Sequence, residues 1–135
     1  MASADDHKKT YEQFMEDINE KIRNDLLIER QKIISFAASE ASTNYLEYLL
    51  HKKGIITAGF RLNHNYFVSE KRAERYLEFE FPMKKELINL MVAQEDFRNI
   101  LCYGKEKERR KIEDALTNLR KIIGIIKAEL GEQDE

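Results

Sequence analysis

Ile33-Ile34-Ser35-Phe36-Ala37-Ala38-Ser39-Glu40-Ala41-Ser42-Thr43-Asn44-Tyr45-Leu46-Glu47-Tyr48-Leu49-Leu50 is the stretch that decides the fold class. Its apolar residues Ile33, Ile34, Ala37, Ala38, Ala41, Tyr45, Leu46, Leu49 and Leu50 recur in steps of three and four. That is the period of a helix and not the alternation of a strand. Phe36 to Thr43 is rich in Ala and Ser, and small side chains let a second helix approach closely. The segment therefore reads as the tightly packed centre of a bundle. Lys52, Lys53 and Gly54 make a helix stop: cations near the C-terminus, then a residue tolerant of positive φ.

The helical pattern extends in both directions. No Gly or Pro occurs from Thr10 to Lys53, and Tyr11, Phe14, Ile18, Ile22 and Leu26 form an earlier stripe. The charged run Asp25 to Lys32 carries either a bend between two helices or a solvated turn of one long helix. Residues 55–68 are the least periodic and read as a connector with one helical turn. Ser69 is a natural N-cap for a short helix to about Glu78. Pro82 pushes the preceding residue out of the α region and starts the next helix, which carries Leu87, Ile88, Met91, Val92, Phe97, Ile100 and Leu101 and stops at Gly104. The last helix is expected from about Glu106 to Leu130, followed by a frayed acidic tail over 131–135. The expected fold is all-α, an up-and-down helical bundle of four to five helices, two of them long, with residues 1–25 as an N-terminal helical extension. The adjacent pairs Ile122-Ile123 and Ile125-Ile126 widen the final stripe, which predicts a second buried face and hence a homodimer.

Composition agrees. The chain has 135 residues, 42% hydrophobic and 36% charged, with one Pro and five Gly. That is one domain with a real core and few turns. No apolar run is long enough to span a membrane. Met1 to Asp6 is polar and acidic, so no signal peptide is expected. The one cysteine has no internal partner, which fits a reducing cytoplasm. No Cys/His cluster has metal-ligand spacing, a Glu-x-x-His pair is absent, and His7, His51 and His64 are scattered, so neither metal nor cofactor is expected. A net charge of −2 gives no global attraction to nucleic acid.

The chemistry concentrates in Phe97-Arg98-Asn99-Ile100-Leu101-Cys102-Tyr103-Gly104-Lys105. On a helix Arg98 shares a face with Cys102, and Asn99 with Tyr103. A guanidinium and a phenol at a helix end, beside Lys105 and Lys107, suit a phosphate. The plainer reading is a salt-bridged arginine and a half-buried tyrosine.

The run from Phe97 to Leu101, near the end of the penultimate long helix of an all-α chain, resembles the signature of HEPN domains, Phe-Arg-Asn-Ile-Leu-x-His-x-Tyr. The likeness covers roughly residues 30–128. It implies a dimeric helical bundle in which the motif arginines of both subunits meet at a shared cleft. Active HEPN members cleave RNA without a metal; the histidine acts as general acid/base or orients the 2′-hydroxyl, and the arginine stabilises the phosphate. Many are toxins paired with a nucleotidyltransferase-like partner that modifies the motif tyrosine. Arg98 and Asn99 match the pattern, whereas Tyr103 stands in the histidine's place and Lys105 in the tyrosine's. A phenol is almost fully protonated at neutral pH, and losing an acid/base step removes about 10²–10⁴-fold of rate. The resemblance thus implies an RNA- or nucleotide-binding domain with weak or no ribonuclease activity.

His64, in Arg61-Leu62-Asn63-His64-Asn65, supplies the missing imidazole if the connector folds over the motif helix; otherwise it is a solvated loop histidine. Lys105, Lys107, Arg109 and Arg110 are the candidate phosphate contacts, diluted by Glu106 and Glu108. Lys71, Arg72 and Arg75 lie near Tyr66, Phe67, Tyr76 and Phe79, a mixture that suits single-stranded RNA or, more plainly, a solvated face. Cys102 reads as a small apolar residue rather than a nucleophile. Two other functions compete: a non-catalytic helical interaction or regulatory subunit, and an active metal-independent ribonuclease.

Overall fold

The computed structural model describes residues 3–132. Five α-helices account for the fold: α1 (Ala4–Arg23), α2 (Gln31–Lys52), α3 (Glu70–Tyr76), α4 (Lys84–Cys102) and α5 (Arg109–Leu130), with a 3-10 turn at His64–Val68. The all-helical bundle expected from the periodicity is what the chain adopts. Four helices are long, and α3 is short.

Local chemistry sets most of the ends. Ser3 and Asp6 form a reciprocal capping box at the start of α1. The charged run after α1 holds a bend, with Asp25 at φ 55° and the Leu26 N–H donating to the Lys21 carbonyl. Ser69 caps α3 by accepting from the Arg72 N–H at 3.1 Å, as its side chain suggested. Two starts differ from expectation. α4 begins at Lys84 rather than Pro82, because Met83 takes a left-handed conformation (φ 60°) and Phe81 sinks into the core. α5 begins at Arg109 rather than Glu106. The buried Gln31 side chain donates to the Lys107 carbonyl at 3.0 Å and accepts from its N–H at 2.7 Å, holding that residue outside the helix.

α2 is the axis of the molecule. Ala37, Ala38, Ala41, Leu46, Leu49 and Leu50 are at most 2% exposed. Tyr11 of α1 stacks on Tyr45 near the end of α2, with ring centroids 3.8 Å apart, so these two helices run antiparallel. Ser35 reaches the Phe97 carbonyl and Cys102 the Lys32 carbonyl, which sets α4 antiparallel to α2. Gln94 and Asn118 bridge α4 to α5. The wide apolar stripe of α5 is used within the chain: Ile122 and Ile126 are buried, and Ile123 and Ile125 pack partly against the same core. Its width therefore gives no argument for a second copy. The tail expected to fray is anchored as far as Glu132, whose carboxylate accepts from the Tyr45 hydroxyl at 2.8 Å and pairs with Lys8 at 3.3 Å. Residues 133–135 lie outside the described residues. No helix among the described residues is long and apolar enough to cross a membrane.

Candidate functional site

The connector after α2 folds back over the middle of α2 and the motif helix α4. Between them and the start of α1 lies a cavity of about 250 Å³, lined by His7, Glu40, Asn44, Glu47, Arg61 and His64 among others. Around this cavity, helix carboxylates hold basic side chains delivered by other elements.

The first pair is Glu40 of α2 with Arg98 of α4. Arg98 Nη1 donates to Glu40 Oε2 at 2.9 Å and to Ser39 Oγ at 3.1 Å. Its guanidinium lies over the Phe36 ring, 4.8 Å from the centroid. The small Ser39 at this position of α2 is what lets the arginine cross the seam. The Arg98 side chain is 11% exposed and that of Glu40 27%, so the pair is partly shielded from bulk screening. No protein partner among the described residues takes the remaining Nε–H and Nη2 donors. A guanidinium fixed through one nitrogen presents its other edge as a preformed fork for a carboxylate or phosphate.

The second pair is Glu95 of α4 with His64 of the connector. His64 Nδ1 lies 2.9 Å from Glu95 Oε1, and the carboxylate is 4% exposed. Glu95 and Arg98 are three apart on one face of α4. A buried carboxylate on Nδ1 orients an imidazole and leaves Nε2 for acid/base work, the logic of a His–Asp dyad. The connector does fold over the motif helix, and His64 is placed by it.

The remaining candidates are dispersed. Asn99 is exposed on α4, a quarter-turn or more from Arg98. Tyr103 lies just beyond the end of α4 in extended backbone and is 65% exposed. Lys105 and Arg110 are exposed, while Lys107 is half-buried, with its Nζ donating to the Lys105 carbonyl. Arg109 is shared between Glu113 at 3.1 Å and Asp25 at 3.6 Å. These four cations lie beyond the end of α4, in the α4–α5 loop and the first turn of α5. The aromatic group is largely self-satisfied: Phe67 is buried, and Tyr66 stacks on Tyr76 with centroids 4.1 Å apart. Burial pushes the Cys102 thiol up, only partly offset by Ser35 and by the charge of Arg98, so little thiolate is present at neutral pH.

One cluster was invisible in the sequence. His7, Glu47 and His51 converge beside the cavity, whose wall includes His7 and Glu47, although the two histidines are far apart in the chain. The available signal was Glu47 with His51, four apart on one helical face, inside an otherwise apolar run.

No family model, no curated protein and no solved structure matches this chain.

Proposed function

We propose that the protein is a HEPN-like helical module that binds single-stranded RNA or a nucleotide through Arg98 and self-associates, with weak or no ribonuclease activity. The observation that carries this reading is the half-used guanidinium: Arg98 is clamped by Ser39 and Glu40 through Nη1 alone. The exposed cations Lys105 and Arg110, in the α4–α5 loop and the first turn of α5, extend the footprint. Exposed Ile33 and Phe36 on α2, with the Phe36 ring under the Arg98 guanidinium, favour a second copy at this seam. The partner class implied by the resemblance, a nucleotidyltransferase-like protein, belongs to the same proposal. The test is equilibrium binding of single-stranded RNA across a salt series. Arg98→Ala is expected to weaken binding about tenfold and to lower the salt slope by about 0.7, one phosphate contact's worth. Equal affinity and slope in parent and variant refute the reading.

A second reading, metal-independent RNA cleavage, is favoured by one observation, the Glu95–His64 pair beside the Arg98 seam. In EDTA, the parent would cut RNA and His64→Ala would not. RNA left intact by the parent after long incubation removes this alternative and leaves binding untouched.

A further inference from the structure

We propose that His7, Glu47 and His51 bind a divalent transition-metal ion of the zinc class, independently of any RNA bound at Arg98. His7 Nε2 lies 2.7 Å from Glu47 Oε2, and His51 Nε2 lies 3.7 Å from the same oxygen. All three donor atoms fall within 4.8 Å of one another. Tetrahedral ligands at zinc distances sit about 3.3 Å apart, so small side-chain shifts bring the set onto one ion.

The hydrogen bonds around the cluster fix which atoms are free. Asn44 Nδ2 donates to the Glu40 carbonyl at 2.8 Å, which turns Asn44 Oδ1 toward His7. That oxygen is 2.9 Å from His7 Nδ1, so Nδ1 carries the proton and Nε2 faces Glu47. The orienting bond on the far nitrogen is the usual support of a metal-bound histidine. Glu47 is similarly held, with Oε1 accepting from the Leu62 N–H at 3.0 Å and Oε2 left for the two imidazoles. His51 completes the case. Its side chain is 9% exposed, and its Nε2 is buried with no hydrogen-bond partner among the described residues. A buried, unsatisfied polar atom is costly. A proton on His7 Nε2 satisfies only that nitrogen and the carboxylate. A metal ion satisfies both imidazoles and the carboxylate at once. Two histidines and one carboxylate leave a coordination position open, and the cavity shared by His7 and Glu47 gives water or a substrate oxygen access to it.

The experiment is a calorimetric titration of EDTA-stripped protein with ZnCl₂, together with the visible spectrum of the CoCl₂ complex. One equivalent of Zn²⁺ is expected, with a rise in melting temperature and with binding that weakens on acidification as the imidazoles protonate. His7→Ala and His51→Ala should lose saturable binding, and Asn44→Ala should weaken it about tenfold through the supporting bond. The cobalt complex of the parent should show d–d bands of low coordination number without sulfur-to-metal charge transfer, a readout that does not depend on how the variants fold. Absence of stoichiometric binding by the parent, a cobalt spectrum of the hexa-aquo ion, or unchanged affinity in folded His7→Ala and His51→Ala each overturns the site.

Discussion

At the residue scale, the proposed site is built from pairs in which one partner is legible in the sequence and the other is not. Arg98 could be singled out because it sits in a short motif-like run on a helix. Glu40, 58 positions away, could not, and it decides how strongly Arg98 attracts an anion. Removing that carboxylate charge while keeping its shape should free the guanidinium: Glu40→Gln is expected to strengthen RNA binding by about 1 kcal/mol, roughly fivefold, in fluorescence anisotropy. Weaker binding by the variant would mean that Glu40 contacts the ligand or that Arg98 needs the ion pair for its position. The same asymmetry governs His64, whose loop setting was evident but whose buried partner Glu95 lies 31 positions on. Acid–base partners set by tertiary packing leave no local signature in sequence.

At the element scale, sequence was informative where the determinants are local. The stripes of α1, α2, α4 and α5, the Ser69 cap and the Gly54 stop are all short-range features, and they predict elements close to those observed. The starts of α4 and α5 depend on long-range contacts and were misplaced by two to three residues. Gln31 is the clearest case, since its amide serves both backbone groups of Lys107 and locks the α4–α5 loop onto α2. Gln31→Ala leaves those buried groups unpaired and should cost about 1–3 kcal/mol in urea unfolding. A change within 0.5 kcal/mol, the ordinary range of surface substitutions, would show that the loop is held by other contacts. The C-terminus of α5 has a pH signature. Burial raises the Glu132 carboxyl, but the hydrogen bonds from Tyr45 and Lys8 outweigh it and hold it below its ordinary value of 4.5. A carboxyl depressed in the folded state adds stability above its unfolded value and loses it as pH falls through the folded one. Comparing the parent with Glu132→Gln by thermal unfolding should therefore show a difference, under about 1 kcal/mol, that is flat above pH 5 and disappears in stronger acid. A difference that grows on acidification would contradict this docking.

At the scale of the whole molecule, α2 is buried on nearly every side except its first turns, where Ile33 is 47% and Phe36 is 43% exposed. The α5 stripe that first pointed to a dimer is consumed internally, so self-association rests on this smaller patch. Ile33→Glu should abolish dimerisation in sedimentation equilibrium while leaving the monomer's melting temperature nearly unchanged. A parent that stays monomeric at high concentration would remove the dimer and leave the single-chain binding site standing. Glu40 and His64 of the proposed site and His7 and Glu47 of the proposed metal cluster line one cavity, yet the two use different residues, so each can fail without the other. Binding at Arg98 is best tested by following the Arg98 Nε–H resonance while single-stranded RNA is titrated into ¹⁵N-labelled protein. A saturable shift of that resonance, absent in Arg98→Ala, is expected if the open edge of the guanidinium takes the phosphate. RNA binding that moves other arginine signals and leaves Arg98 unmoved would place nucleic acid elsewhere on the bundle and contradict the assignment.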